Sequence, residues 1–182
     1  MEYTRTEVEG VTIVDIEPHR DSRGFFSRSF DTGEFEANGL AATVVQTNIS
    51  FNHATGTLRG LHRQCPPYTE AKLVRCTRGA VVDVAVDVRP HSTTYLEHVE
   101  VELTADNHRA LFLPPYVAHG FQTLTTDTEV IYQVSGPYAP AGEQGFRYDD
   151  PAFGVMWPLP VSVISDKDAS WPLIIHTGTP EP

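Results

Sequence analysis

The chain has 182 residues, 40% of them hydrophobic, and a formal net charge of −11. That length fits one domain over residues 1–182 with a core of its own. No apolar run approaches the ~20 residues of a bilayer span, and the acidity excludes general binding to nucleic acid or to an anionic membrane surface. The start, MEYTRTEVEG, is polar and acidic rather than a signal peptide. The two cysteines, Cys65 and Cys76, make no C-x-x-C pair. A cytoplasmic protein with free thiols is expected.

In chain order, Val11–Ile16 and Phe25–Phe30 are the first β-rich runs. Asp31–Gly39 (DTGEFEANG) reads as one short helix, with Thr32 as its cap and Gly39 as its stop. Strand-like runs follow at Thr43–Phe51, Lys72–Thr77, Ala80–Val88, Tyr95–Leu103, Arg109–Pro114, His119–Thr125 and Glu129–Ser135. Each is rich in β-branched or aromatic residues and bounded by turn formers. Turn signals every ~8–12 residues predict an all-β sandwich or barrel. Residues 137–182 are rich in Pro and Gly and are expected to wrap the barrel as loops and short turns.

The run AVVDVAVDVR alternates, with Val82, Val84, Val86 and Val88 on one face and Asp83, Ala85 and Asp87 on the other. If Arg78–Gly79 is a two-residue hairpin loop, Thr77 pairs with Ala80, Val74 with Asp83 and Lys72 with Ala85. Lys72 and Asp83 then become diagonal neighbours: facing inward they are an ion pair costly to bury without a purpose, and facing outward an ordinary surface pair.

Basic residues cluster in this otherwise acidic chain. Arg59, Arg63, Lys72, Arg75 and Arg78 stand between residues 52 and 82 against Glu70 alone. Such an island is either an anion site or a solvated stripe. His62, in RGLHRQ, lies within it. A metal-binding cupin supplies His-x-His, a nearby Glu and a later His. Here Arg63 and Gln64 follow His62, leaving Glu70 and His119 as a poor ligand set. There is no nucleophile elbow and no glycine-rich phosphate loop. What remains is general acid–base work or a structural histidine.

Six motifs occur in order: DSRGFF (Asp21–Phe26), LRGLHRQ (Leu58–Gln64), KLVRCTRGAVVDVAVDVRP (Lys72–Pro90), AHGFQTL (Ala118–Leu124), YDDPAFGVMWP (Tyr148–Pro158) and ISDKDA (Ile164–Ala169). Together they resemble the dTDP-4-dehydrorhamnose 3,5-epimerase family, over about Val11 to Leu173. The resemblance implies a cupin-like antiparallel β-barrel (jelly roll), free of metal and organic cofactor, in homodimers that exchange an N-terminal strand. It implies a nucleotide-linked 4-keto-6-deoxyhexose as substrate, inverted at C3, C5 or both. By position, His62 matches the base, Asp168 its dyad partner, Lys72 the lysine near the C4 carbonyl oxygen and Tyr132 the acid on the opposite face. Arg59 matches a diphosphate contact, and Arg23, Phe26, Gln46 and Asn48 fall among residues lining the nucleotide site. Tyr138 matches a tyrosine stacking on the base, and His119 a histidine lining the sugar pocket. Arg28 departs from the pattern, because many members carry an acidic residue there that helps to read the base. A phosphate contact or a different base or sugar then follows for Arg28.

Within that resemblance a single-site epimerase, a 4-keto-sugar isomerase and a catalytically inert nucleotide-sugar-binding cupin are the competing readings. One geometric demand is specific. In a regular strand Arg59 and His62 point to opposite faces, so an irregularity at Gly60 is required to turn both inward.

Overall fold

The computed structural model describes residues 1–174. Its first half runs β1 (Glu2–Arg5), β2 (Thr12–Asp15), β3 (His19–Asp21), β4 (Gly24–Phe26), α1 (Thr32–Ala37), β5 (Gln46–Asn52) and β6 (Leu58–Gln64). Then come β7 (Lys72–Arg78), β8 (Ala80–Val86), β9 (His98–Thr104), β10 (Ala110–Leu113), β11 (Ala118–Thr123), β12 (Thr128–Val134), β13 (Glu143–Gly145) and α2 (Asp166–Ala169). One antiparallel sheet has the order β1-β2-β10-β7-β12-β5 and the other β13-β6-β11-β8-β9, while β3 and β4 form a separate two-stranded ribbon. This is the expected all-β jelly roll. Among the described residues no helix is long and apolar enough to cross a membrane.

The alternation of each strand builds the interior. Val74, Cys76, Leu111, Leu113 and Val130 of the first sheet pack on Val81, Ala85, Val101, Leu103 and Phe121 of the second. Burial pushes the Cys76 thiol up to about 11, and both cysteines are free. The outer face of the second sheet (Leu61, Val84, Val86, Val88, Ala118) is covered by Phe146, Phe153 and Trp157 of the C-terminal segment. That segment therefore wraps the barrel as expected, and it also contributes β13 and α2. Helix α1 covers the first sheet, with Phe35 buried against Val14, Leu73 and Phe112.

Several expectations need correction. The Arg78–Gly79 turn is not a hairpin: β7 pairs with β10 and β12, and β8 pairs with β9 and β11 in the opposite sheet. The turn's backbone groups are satisfied by other loops, with Ala105 N–H donating to Gly79 O and Leu124 N–H to Ala80 O. Crossing between sheets lets Val74 and Cys76 pack against Val81 and Ala85 in the core between the sheets. Lys72 and Asp83 are consequently not partners. The cap of α1 is Asp31, whose carboxylate accepts the Glu34 N–H at 3.0 Å, rather than Thr32. Of Phe25–Phe30, Phe25 and Phe26 alone are strand, at the end of β4.

The demanded irregularity is present. His119 pairs with His62 and Phe121 with Arg59, so Gly120 alone of β11 opposes both Gly60 and Leu61 of β6. Gly60 takes φ +117°, and a Cβ there would fall 2.5 Å from the Gly120 Cα. Gly60→Ala is therefore expected to cost about 3 kcal/mol through left-handed backbone strain and overpacking. Urea unfolding would read this as a lower midpoint at unchanged slope.

Candidate active site

The slip at Gly60 sends Arg59 and His62 to the same side of β6 while Leu61 goes to the opposite, covered face. Along β5, β12 and β7 the register sets Asn48 beside Tyr132 and Tyr132 beside Val74, then Gln46 beside Val134 and Val134 beside Lys72. Tyr132 and Lys72 thus share one inward face as diagonal neighbours. Two adjoining cavities result, both bordered by His62, Lys72 and Tyr132. The inner one, about 390 Å³, adds Arg59, His119, Phe121 and Asp168. The outer one, about 490 Å³, adds Gln46, Asn48, Glu70, Tyr138 and Glu143.

His62 Nε2 lies 2.6 Å from Asp168 Oδ1, and the Asp168 side chain is 7% exposed. Three features hold this carboxylate in place. Leu58 N–H donates to Val163 O, seating the C-terminal segment on β6. Ser165 caps α2 by accepting the Asp168 N–H at 3.0 Å, and Asp168 Oδ2 accepts the Gly60 N–H at 3.3 Å. Burial alone would raise the Asp168 carboxyl, but the His62 hydrogen bond and charge, with the Gly60 and Ser165 contacts, hold it below the ordinary carboxylate range. The Trp171 ring stands edge-on to His62 at 6.5 Å. Gly145, paired with His62, leaves room for that ring, since a Cβ there would lie 2.0 Å from it.

A second histidine–carboxylate pair faces the same space. His119 Nε2 is 2.7 Å from the fully buried Asp83. His119 and Asp83 are diagonal neighbours across β11 and β8, so the partner of Asp83 is His119 and not Lys72. Lys72 Nζ instead meets Glu70 at 3.1 Å. Burial raises the Tyr132 phenol, the Glu70 charge adds to the rise and Arg59 opposes it. At the outer mouth the Tyr138 hydroxyl donates to Glu143 at 2.8 Å, and Lys167 pairs with the same carboxylate. Among the described residues no group of three or more His, Cys, Asp and Glu side chains is arranged to hold a metal ion.

Of the residues singled out in the sequence, His62, Asp168, Tyr132, Lys72, Arg59, His119, Gln46, Asn48 and Tyr138 converge on the two cavities. Arg23, Phe26 and Arg28 do not. They ride on and beside the β3–β4 ribbon, where Phe26 is 73% exposed, Arg23 pairs with Asp21 and Arg28 with Asp31. The basic island also divides. Arg59 reaches the inner cavity. Arg63 borders the outer cavity while its guanidinium bonds Gln144 and the carbonyls of Val88 and Tyr116, Arg75 reaches Ser29 O, and Arg78 lies over Phe51. Glu70, Asp83, Glu143 and Trp171 are site neighbours that sequence reasoning did not assign. The alternation of β8 put Asp83 on one face with Ala85 and Asp87, and the supposed hairpin gave it Lys72 as a neighbour where the structure gives it His119.

The sequence pattern described as dTDP-4-dehydrorhamnose 3,5-epimerase matches residues 5–175. The chain belongs to this family. The relative so named from Sinorhizobium fredii is 42% identical over 173 residues, 94% of this chain and 89% of its own. The family fold superposes as well. The Bacillus anthracis dTDP-4-dehydrorhamnose 3,5-epimerase, solved with TDP and PPi bound, is 35% identical with a TM-score of 0.91, covering 95% of this chain and 99% of that one. A 3′-monoepimerase from Streptomyces bikiniensis, solved with dTDP-quinovose, is 34% identical with a TM-score of 0.85, covering 92% and 85%.

For this epimerase-family site the electrostatics give a pH signature. Because Asp168 is lowered in the folded state, it contributes stability that is fully present above the unfolded carboxyl value near pH ~4 and is lost as pH falls through the folded one. Asp168→Asn removes this component. Urea unfolding from pH 7 to 3 is expected to show the variant less stable at neutral pH, with the difference shrinking toward pH 3.

Proposed function

We propose that the protein epimerises a dTDP-linked 4-keto-6-deoxyhexose at C3 and C5, with His62 as base, Asp168 as its partner, Lys72 beside the C4 carbonyl oxygen and Tyr132 as acid. The observation that carries this reading is the 2.6 Å His62–Asp168 pair opening on a cavity that also holds Lys72 and Tyr132. With Nε2–H donated to Asp168, Nδ1 is the basic nitrogen. It removes a proton from a carbon next to the ketone, and the buried carboxylate stabilises the imidazolium that forms. The C–H electron pair moves to the C4 oxygen as an enolate, where a fixed ammonium stabilises the charge. Tyr132, raised by burial and therefore protonated at neutral pH, returns a proton to the other face.

The fold suits this division of labour. His62 is on β6 of one sheet and Tyr132 on β12 of the other. A sugar ring lying between the sheets meets the base on one side and the acid on the other, which inversion requires. Arg59 serves the diphosphate, Gln46, Asn48 and Tyr138 the nucleotide in the outer cavity, and His119 the sugar. The two free thiols are consistent with a reducing, cytoplasmic setting.

The same reading includes a homodimer. The β3–β4 ribbon presents Arg23, Phe26 and Arg28 away from this chain's own cavities, and β5 is a free edge carrying exposed Ile49 and Phe51. A second copy pairing there would receive the ribbon's side chains at its nucleotide site, with Arg28 available to a phosphate. Mixing inactive His62→Ala and Arg23→Ala proteins is expected to restore activity beyond either alone. No recovery on mixing means that each ribbon serves its own chain.

The direct test is incubation with dTDP-4-keto-6-deoxyglucose in D2O. Deuterium at both C3 and C5 with inversion is the expected outcome. Label at one carbon would make the protein a monoepimerase, the activity named for the Streptomyces bikiniensis protein, and no label would leave a binding cupin. His62→Ala is expected to lose about 10³-fold in kcat. Tyr132→Phe is expected to admit deuterium with retention, because His62 then returns the proton to the face it came from.

A further inference from the structure

Each basic group in the cavities is tied to an acceptor: His62 to Asp168, His119 to Asp83, Arg59 to Asn52, Arg63 to Gln144 and Lys72 to Glu70. The last pair has no place in the reaction as described above. A carboxylate beside a site for an anionic diphosphate and a developing enolate carries an electrostatic cost. Yet the Glu70 side chain is 10% exposed and the Lys72 side chain 14%, and the backbone around Glu70 is clamped. Ala71 N–H donates to Ser135 Oγ at 2.8 Å and Ser135 N–H to Ala71 O at 3.0 Å. Gly136 lets the Thr69 carbonyl approach so closely that a Cβ there would lie 2.4 Å from it. Glu70 is thus pinned between the start of β7 and the end of β12, the strands that carry Lys72 and Tyr132.

We infer that Glu70 is a positioning residue: its carboxylate holds the Lys72 ammonium at the cavity wall beside Tyr132. This rests on the roles proposed above for Lys72 and Tyr132. A lysine ammonium is a point charge on a flexible four-carbon stem, and Lys72 is the first residue of its strand, where the stem has least support. A fixed carboxylate at 3.1 Å supplies the missing restraint. It has a second effect through charge. The ionisable groups sharing the cavities with Tyr132 are Lys72 and Glu70 at the start of β7, Arg59, His62, Arg63, His119 and Asp168 from the facing side, and Tyr138 and Glu143 at the outer mouth. Of these, Glu70 works to keep the phenol protonated and Arg59 works against it.

The test compares wild type, Glu70→Gln, Glu70→Ala and Lys72→Met in steady-state kinetics from pH 6 to 10, with thermal unfolding as the folding control. Glu70→Ala is expected to lower kcat at least tenfold with KM unchanged or reduced, because the pocket loses a negative charge that opposes the anionic substrate. Glu70→Gln keeps an acceptor for Lys72 and is expected to recover most of kcat. Its alkaline limb should move to lower pH, since the phenol must remain protonated and loses the charge that raised it. A structural role alone would lower the unfolding temperature and leave the alkaline limb in place. Folded Glu70 variants with wild-type kcat and pH profile, beside an inactive Lys72→Met, overturn the inference while sparing the reading of Lys72. An active Lys72→Met overturns that reading, and the inference with it.

Discussion

Two glycine backbones in contact decide which way this site faces. At Gly60 and Gly120 the strands β6 and β11 approach more closely than any side chain permits, and the register slips by one residue. Because side chains alternate along a strand, a single slip exchanges faces for everything beyond it. Arg59 and His62 thereby share the interior. Leu61 moves to the outer face and becomes part of the surface on which Phe146 and Phe153 pack. The C-terminal segment seated there carries Asp168 back to His62. His62, its carboxylate partner and the cover of the second sheet all depend on that one close approach.

The charge distribution follows from the same geometry. A chain with a net charge of −11 keeps Arg59 and Lys72 at its interior cavities and assigns them fixed polar neighbours. Inside a protein, hydrogen-bonded polar networks orient their members strongly, and unpaired members are costly. Asp83 shows that cost: one oxygen meets His119, and the other is buried without a hydrogen-bond partner among the described residues. Such exceptions concentrate where function and stability compete. The interior passes from an apolar core around Val74, Leu111 and Phe121 to a polar cavity on the same strands, so the packing that stabilises the barrel also holds the polar groups in place.

What the sequence revealed depended on how local each signal was. The β-branched and aromatic runs around Thr43–Phe51, Ala80–Val88 and Glu129–Ser135 correspond to β5, β8 and β12 with ends moved by a few residues. Strand β6 carries no clean period because Gly60 and Leu61 break it. The edge strands β1 and β13 and the ribbon strand β3 are too short and polar to announce themselves. The supposed hairpin at Gly79 failed because glycine marks a turn without saying whether the chain returns to its own sheet or crosses to the other. The basic island was half informative, since proximity in sequence says nothing about which side of a strand each arginine takes. Asp168 lies 106 residues from His62, and no local pattern joins them, so the family resemblance brought them together. Glu70 was visible as a lone acid among bases, but its partner was not.

That separation along the chain also bears on how the protein comes into being. Strands β5, β6, β7 and β12, which supply Gln46, Asn48, His62, Lys72 and Tyr132, are all made before the ribosome reaches Ser165 and Asp168. A nascent or proteolytically clipped chain ending ahead of Ser165 would hold those side chains yet lack both the carboxylate and the helix cap that aims it. Such a product would keep the cavity-lining side chains and lose the buried carboxylate that orients His62. The site is therefore complete only when the C-terminal segment has been made and seated on β6.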